Sequence, residues 1–391
     1  MQPSSELPAI ASPDGTPYDP HAYPADHRPA HGRHALADTE PGIPAPVLAA
    51  AAGVRKAMLV PVVTALAIGT IFVAVYLAAF HAPAARHQPL GIAASDTVAA
   101  RTELALNSAA PDAYSFHRYA NADAARRAIV HDEVPAALVG DARGMRLLAA
   151  GAQGPSVVSS LATAATQAVG HPVPVRDVRP LAAGDARGLS AFYAAFGVVL
   201  AGFLFAVSSY QIAPRLALTA RAVSMLVFAA ASGVTVALIA HTGFGALPAS
   251  FLTVAVVVGL LAWATAAATG VLLRLFGPIG MPVASVLLLI LGNATSGGIL
   301  PATFLPGWLS PLAELLAPAA AIQALRDAAY FDNAHLTGSL LALVAWVVGC
   351  LALQYLLDRV AARREATALP AAVVAADRGR AVGESFGAVR T

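Results

Sequence analysis

Reactive side chains are scarce in this sequence and gather in three places. Asn293, Thr295 and Ser296 precede Gly297 and Gly298, so an amide and two hydroxyls stand beside backbone that can leave helical geometry. Such a group either caps a helix C-terminus or forms a polar gate at the mouth of a pathway. Beyond it, Glu314, Arg326 and Asp327 are the charges of a segment broken by Pro301, Pro306, Pro311 and Pro318. Arg326 stands one turn before Tyr330 on the same helix face. It is placed to pair with Glu314, to reach lipid headgroups or to touch a substrate. The third place is the short basic stretch 211–221, from Gln211 through Pro214 and Arg215 to Arg221. It reads either as a positive anchor or as a docking surface for a cytoplasmic motor.

Several reaction classes have no residues to carry them. Lys56 is the only lysine, and no glycine loop precedes it, so the sequence holds no P-loop for ATP. No H-E-x-x-H or C-x-x-C occurs, and no Ser/His/Asp set can be assembled. Ser208 and Ser209 read as helix-packing residues. His21, His27, His31 and His34 fall in a solvated tail, and His117 and His131 read as surface residues, so no metal centre or cofactor is expected. Cys350 is single and cannot close an intrachain disulfide. A net charge of +2 is too small to suggest a nucleic-acid partner.

The elements that must carry these residues are dictated by composition. The 391 residues are 58 % hydrophobic and only 12 % charged, against about 25 % charged in soluble domains. Six apolar runs, 57–80, 189–212, 222–241, 250–273, 279–300 and 337–357, approach the roughly 20 residues that a membrane-crossing helix needs. Strands are excluded there because an open sheet edge in lipid leaves backbone groups unpaired. The runs hold no Asp, Glu, Lys or Arg, which argues against a self-powered antiporter with a buried proton relay. Small residues such as Gly197, Gly202, Ala230, Ser232 and Gly233 let helices approach closely, within the chain or across a dimer. Arg55, Lys56, Arg215, Arg221, Arg274, Arg359, Arg363 and Arg364 would share one side, with only Arg326 in the short loops opposite. Both termini are therefore expected in the cytoplasm; Arg187 is discordant.

Between the runs the pattern changes. Residues 1–46, rich in Pro, His, Asp and Ala, read as a disordered cytoplasmic tail. The stretch 47–80 reads as an interfacial helix leading into the first span. Residues 81–188 have soluble composition and alternate strand-like and helical segments, with Asn121 as an N-cap for 122–130. They predict an extracytoplasmic α/β domain. The turn 140–144 is flanked by strand signals. Residues 189–360 form a five-helix region in which 301–333 re-enters the membrane from outside as two short helices. Ser310 is expected to cap the first, and Pro318 to open the second. A cytoplasmic tail, 361–391, follows.

This order, with Ser296, Gly297, Gly298, Pro301, Leu305, Pro306, Pro318, Arg326, Tyr330 and Phe331 before the last run, resembles the type-2 ABC exporter permeases. Within them it is most similar to the YhgE/Pip (phage infection protein) branch. The resemblance implies an α-helical polytopic membrane protein of six transmembrane helices. An α/β extracytoplasmic domain would be inserted between the first two, with a re-entrant helical segment before the last. It further implies pairing as a homodimer or with a similar permease, and ATP hydrolysis by a separate cytoplasmic ATPase subunit docked at Gln211, Arg215 and Arg221. The expected function is outward movement of a lipid, drug or other amphiphile through the cell inner (plasma) membrane, among membrane lipids, without a cofactor. The gate would comprise Asn293, Thr295, Ser296, Gly297, Gly298, Pro301, Pro306, Arg326 and Tyr330. The alternative is a non-transporting envelope scaffold or receptor that displays the extracytoplasmic domain.

Overall fold

The computed structural model describes the backbone of residues 45–141 and 144–387, and side chains of 57–141 and 144–364. The readings of 1–44, including the four tail histidines, and of Ala142 and Arg143 in the hairpin turn lie outside the described residues. The described residues are predominantly α-helical, and those from Leu59 onward form one compact unit.

Helix α1 (Ala45–Phe80) leads into a five-stranded sheet module. Its elements are β1 (Gln88–Ala93), α2 (Asp96–Ala109), β2 (Tyr114–Arg118), α3 (Ala122–Val130), β3 (Ala136–Asp141), β4 (Gly144–Ala149), α4 (Pro155–Val169) and β5 (Val175–Asp177). The strand order is β2-β1-β3-β4-β5; only the β3–β4 pairing is antiparallel. Local chemistry sets the helix ends. The Asn121 side chain accepts a 2.9 Å bond from the Ala124 N–H and opens α3. Gly170, at φ 82°, closes α4 in the left-handed conformation that glycine adopts without steric cost.

Two apolar layers flank the sheet. Leu90, Leu138 and Leu147 pack with Leu106 of α2 and Val157 and Leu161 of α4. Ala93, Ala137 and Val139 pack with Ala125 and Ile129 of α3 on the other side.

The remaining helices form a bundle: α5 (Ser190–Ile212), α6 (Leu218–Ala237), α7 (Phe251–Phe276), α8 (Gly280–Ala284), α9 (Gly292–Ala294), α10 (Ser310–Leu315), α11 (Ala317–Tyr330) and α12 (Leu336–Gly387). A π-helical stretch, Leu238–Gly243, extends α6, and another, Ser285–Leu291, joins α8 to α9. Helix α7 is the most enclosed, with Val254, Val257, Val258 and Leu261 at the centre of the core. Close crossings rely on glycine: a Cβ on Gly233 of α6 would stand 2.2 Å from the Ala255 carbonyl oxygen of α7. From Ala57 on, α1 stays mostly exposed and touches the rest through Val75 and Ala79, which meet Ile290, Ala294, Leu305 and Leu309.

Among the described residues, five helical stretches are long and apolar enough to cross a membrane: Ala57–Phe80, Ser190–Ile212, Leu218–Gly243, Phe251–Ala294 and Leu336–Arg364. The fourth and fifth runs read from the sequence fall within Phe251–Ala294. Gly277, at φ 57°, breaks that stretch, and Gly280 comes back against Leu272 and Leu273. Beyond Ala294 the chain is irregular to Pro301, so the returning arm is shorter than the run 279–300 suggested. Two further boundaries differ. Ser310 is the first residue of α10 rather than its cap, and Leu309 takes the cap position. Helix α12 does not stop near residue 360 but runs on to Gly387, since its Ala- and Arg-rich continuation favours helix.

Candidate functional site

The proline-broken segment clasps the sheet module to the bundle. Its apolar residues enter the module's own cores: Leu300 and Phe304 join the Leu90–Leu161 layer, and Phe331 is fully buried in the α3 layer. Polar contacts complete the clasp. The Arg86 N–H donates to the Thr303 carbonyl at 2.8 Å, and its guanidinium donates to the Leu305 carbonyl at 2.6 Å. Thr303 donates to Gln88, and Arg179 pairs with Asp332.

At this junction several residues singled out from the sequence meet around one cavity of about 360 Å³. Thr295, Ser296, Gly297, Pro301, Glu314 and Arg326 line it, with Gln153 and Gln323. Gly297, at φ 74°, turns the chain there. Gly298 lies behind it, where a Cβ would sit 2.7 Å from Phe192. The hydroxyls are partly spent on the backbone: Thr295 donates to Leu291 and Ser296 to Asn293, each at 2.8 Å. Asn293 is buried beside the cavity and donates to the Leu289 carbonyl. Pro306 and Tyr330 do not line it; Tyr330 instead accepts from the Ala182 N–H at 3.4 Å. The Glu314–Arg326 pair allowed by spacing does not form. The buried guanidinium of Arg326 donates to the Gly297 carbonyl at 3.2 Å, which ties α11 to the glycine turn.

Beside Arg326 lies a group that sequence spacing did not reveal. Asp132 follows α3, Asp327 ends the buried face of α11, and His335 precedes α12. Gln323 donates to Asp132 Oδ2 at 3.0 Å and to Asp327 Oδ1 at 2.9 Å, and Gln153 donates to Asp132 Oδ1. Burial, reinforced by the Asp132 charge, pushes the Asp327 carboxyl up to about 6. Burial also raises Asp132, against the bond from Gln323. Asp132 adopts φ 60° in the turn after α3, a conformation Asp tolerates better than most residues. That turn was the only local signal, and it says nothing of Asp327 or His335.

A second cavity, about 720 Å³, lies between α5 and α6. Tyr193, Gly197, Ala201, Phe228, Ser232 and Thr235 line it, and it reaches Gly184 and Ser190 beside the sheet module. Small side chains on both helices leave this space, so Gly197 and Ser232 border a groove while Gly233 packs inside the bundle.

The basic loop corrects one reading. Arg221 is fully buried and is not available as a docking residue. Its guanidinium donates to Ser209 Oγ at 2.8 Å and the Ala213 carbonyl at 2.6 Å, and lies 3.9 Å from the centre of the Tyr210 ring. Arg274 stands 5.0 Å from the same ring centre and pairs with Asp358 at 2.7 Å. Gln211 and Arg215 are exposed.

Comparison with protein-family models, curated proteins and solved structures finds no match to this chain.

Proposed function

We propose that this protein is the membrane-spanning permease subunit of an ABC-type exporter. It moves a lipid, drug or other amphiphile outward through the plasma membrane, and a separate cytoplasmic subunit hydrolyses the ATP. The observation that carries the reading is the 720 Å³ groove between α5 and α6, apolar along its length and ending beside polar backbone at Gly184 and Ser190. Its volume falls within the roughly 300–1,000 Å³ of small-molecule sites, and its two ends suit a molecule with an acyl body and a polar head. The absence of a P-loop anywhere in the sequence supports an external energy source.

In this reading α7 and the returning arm Gly280–Ala294 count as two of six membrane arms. The sheet module lies outside the cell, and the arginine-rich ends, both termini included, lie in the cytoplasm. The junction around Ser296, Gly297 and Arg326 serves as the outer gate, and exposed Gln211 and Arg215 face the motor subunit. Two copies, or this chain and a similar permease, complete the pathway.

The test is affinity capture of the full chain from its native membranes. The expected result is recovery of a P-loop ATPase that is lost with Arg215→Glu. Recovery of no ATPase, together with unchanged efflux of amphiphilic dyes in a deletion strain, overturns the proposal.

A further inference from the structure

Asp132, Asp327 and His335 come from three separate elements, yet one potential ligand atom from each lies within 4.8 Å of the other two. His335 Nδ1 stands 3.9 Å from both Asp132 Oδ2 and Asp327 Oδ1. That distance is too long for a hydrogen bond. It suits two donors on one ion, which stand up to about 4.2 Å apart when each bond is about 2.1 Å. Gln323 bridges the two carboxylates and Gln153 holds the other oxygen of Asp132, as outer partners orient metal ligands.

A second observation points to an occupant. The Asp327 side chain is fully buried; its Oδ1 faces His335 and takes the Gln323 bond, while its Oδ2 has no hydrogen-bond partner among the described residues. A buried carboxylate oxygen left unsatisfied is costly, and an ion bound by this carboxylate would offset that cost.

We infer that Asp132, Asp327 and His335 bind a divalent transition-metal ion, Zn²⁺ or Mn²⁺, that fastens the sheet module to the start of α12. Two carboxylates and an imidazole suit these ions, whereas Ca²⁺ takes six to eight oxygens. The site is independent of the exporter reading, since a scaffold protein would hold the ion equally well.

The experiment uses the purified full chain in detergent, stripped with chelator and then titrated with Zn²⁺ by calorimetry and with Mn²⁺ by electron paramagnetic resonance. One ion per chain and a rise in Tm with the ion are expected. Asp327→Asn and the exposed-site variant His335→Ala should each weaken binding at least about tenfold and abolish the Tm rise. Asp332→Asn, outside the set, should change neither. A chain with His21, His27, His31 and His34 all replaced by Ala should still bind. Failure to bind either ion overturns the inference. So does binding that survives His335→Ala and Asp327→Asn, or that disappears with the tail histidines.

Discussion

In the sheet module Leu90, Leu106, Ile129, Leu138, Leu147 and Leu161 are fully buried beside alanines such as Ala125, Ala136 and Ala137. The bundle core also mixes sizes, Val254, Val257, Val258 and Leu261 with Ala195, Ala262, Ala264, Ala321 and Ala324. The two regions assemble against different solvents. In water, each large apolar side chain removed from solvent contributes about 1.5–3 kcal/mol, so a small module gains most from leucine. Between helices in lipid that drive is absent, and close backbone approach supplies the attraction instead. Gly202, Gly233 and Gly259, each set against a neighbouring helix's carbonyl, give the bundle that approach. Charges divide in the same way. The module carries an exposed pair, Arg118 with Glu103 at 2.9 Å, whereas the bundle buries Arg221 and anchors it by hydrogen bonds and the Tyr210 ring.

Four substitutions sharpen or break this contrast. Leu138→Ala, in the middle of the sheet, should cost about 3 kcal/mol. Hydrogen exchange of the β1–β4 amides in the full chain would show it, and unchanged protection would mean that the module does not rest on its leucines. In the bundle, adding atoms should hurt instead. Gly233→Ala places a methyl against the Ala255 carbonyl and should cost about 1–3 kcal/mol, read as a fall in Tm. Gly197→Ala, which meets nothing within 4 Å, should leave Tm unchanged or slightly raised. Equal effects at the two glycines would refute the close-crossing argument. Arg221→Met leaves Ser209 and the Ala213 carbonyl without their donor and should cost about 1–2 kcal/mol, again read by Tm.

The smallest effect belongs to the module surface, where Arg118→Ala should shift Tm at the limit of detection. Its sign with pH is still defined. Arg118 holds the Glu103 carboxyl below the usual carboxylate range through a hydrogen bond and its charge. The stabilisation is thus present above the unfolded-state value and disappears as pH falls through the lowered one. Wild type and variant should converge in acid; a difference that grows there would contradict the pair.

Much of the local architecture was legible. Asn121 marks the start of α3. The four prolines of 301–333 announced interrupted backbone, and α10 and α11 follow. The apolar runs were visible because burial in lipid demands an unbroken stretch of apolar residues. Their separation was less so, since the Gly277 reversal leaves no polar loop between α7 and α8. The candidate sites were legible in part. Ser296, Gly297 and Arg326 do share a cavity, but Tyr330 accepts from Ala182, Pro306 accepts from the Leu309 and Ser310 N–H groups in its own turn, and Arg221 faces inward.

Local chemistry, then, determined which segments are helix, strand or turn, because caps, breakers and apolar periodicity act over a few residues. Only the tertiary structure decided that Asp132, Asp327 and His335 stand together, that Arg221 is enclosed, and that α5 and α6 leave a groove. Those outcomes depend on which surfaces dock, and docking joins residues whose separation along the chain carries no local signal. One side chain shows the difference. As a letter in the sequence, Asp327 is one more charge in a proline-broken segment; folded, it is a buried carboxylate with an oxygen that no described residue satisfies.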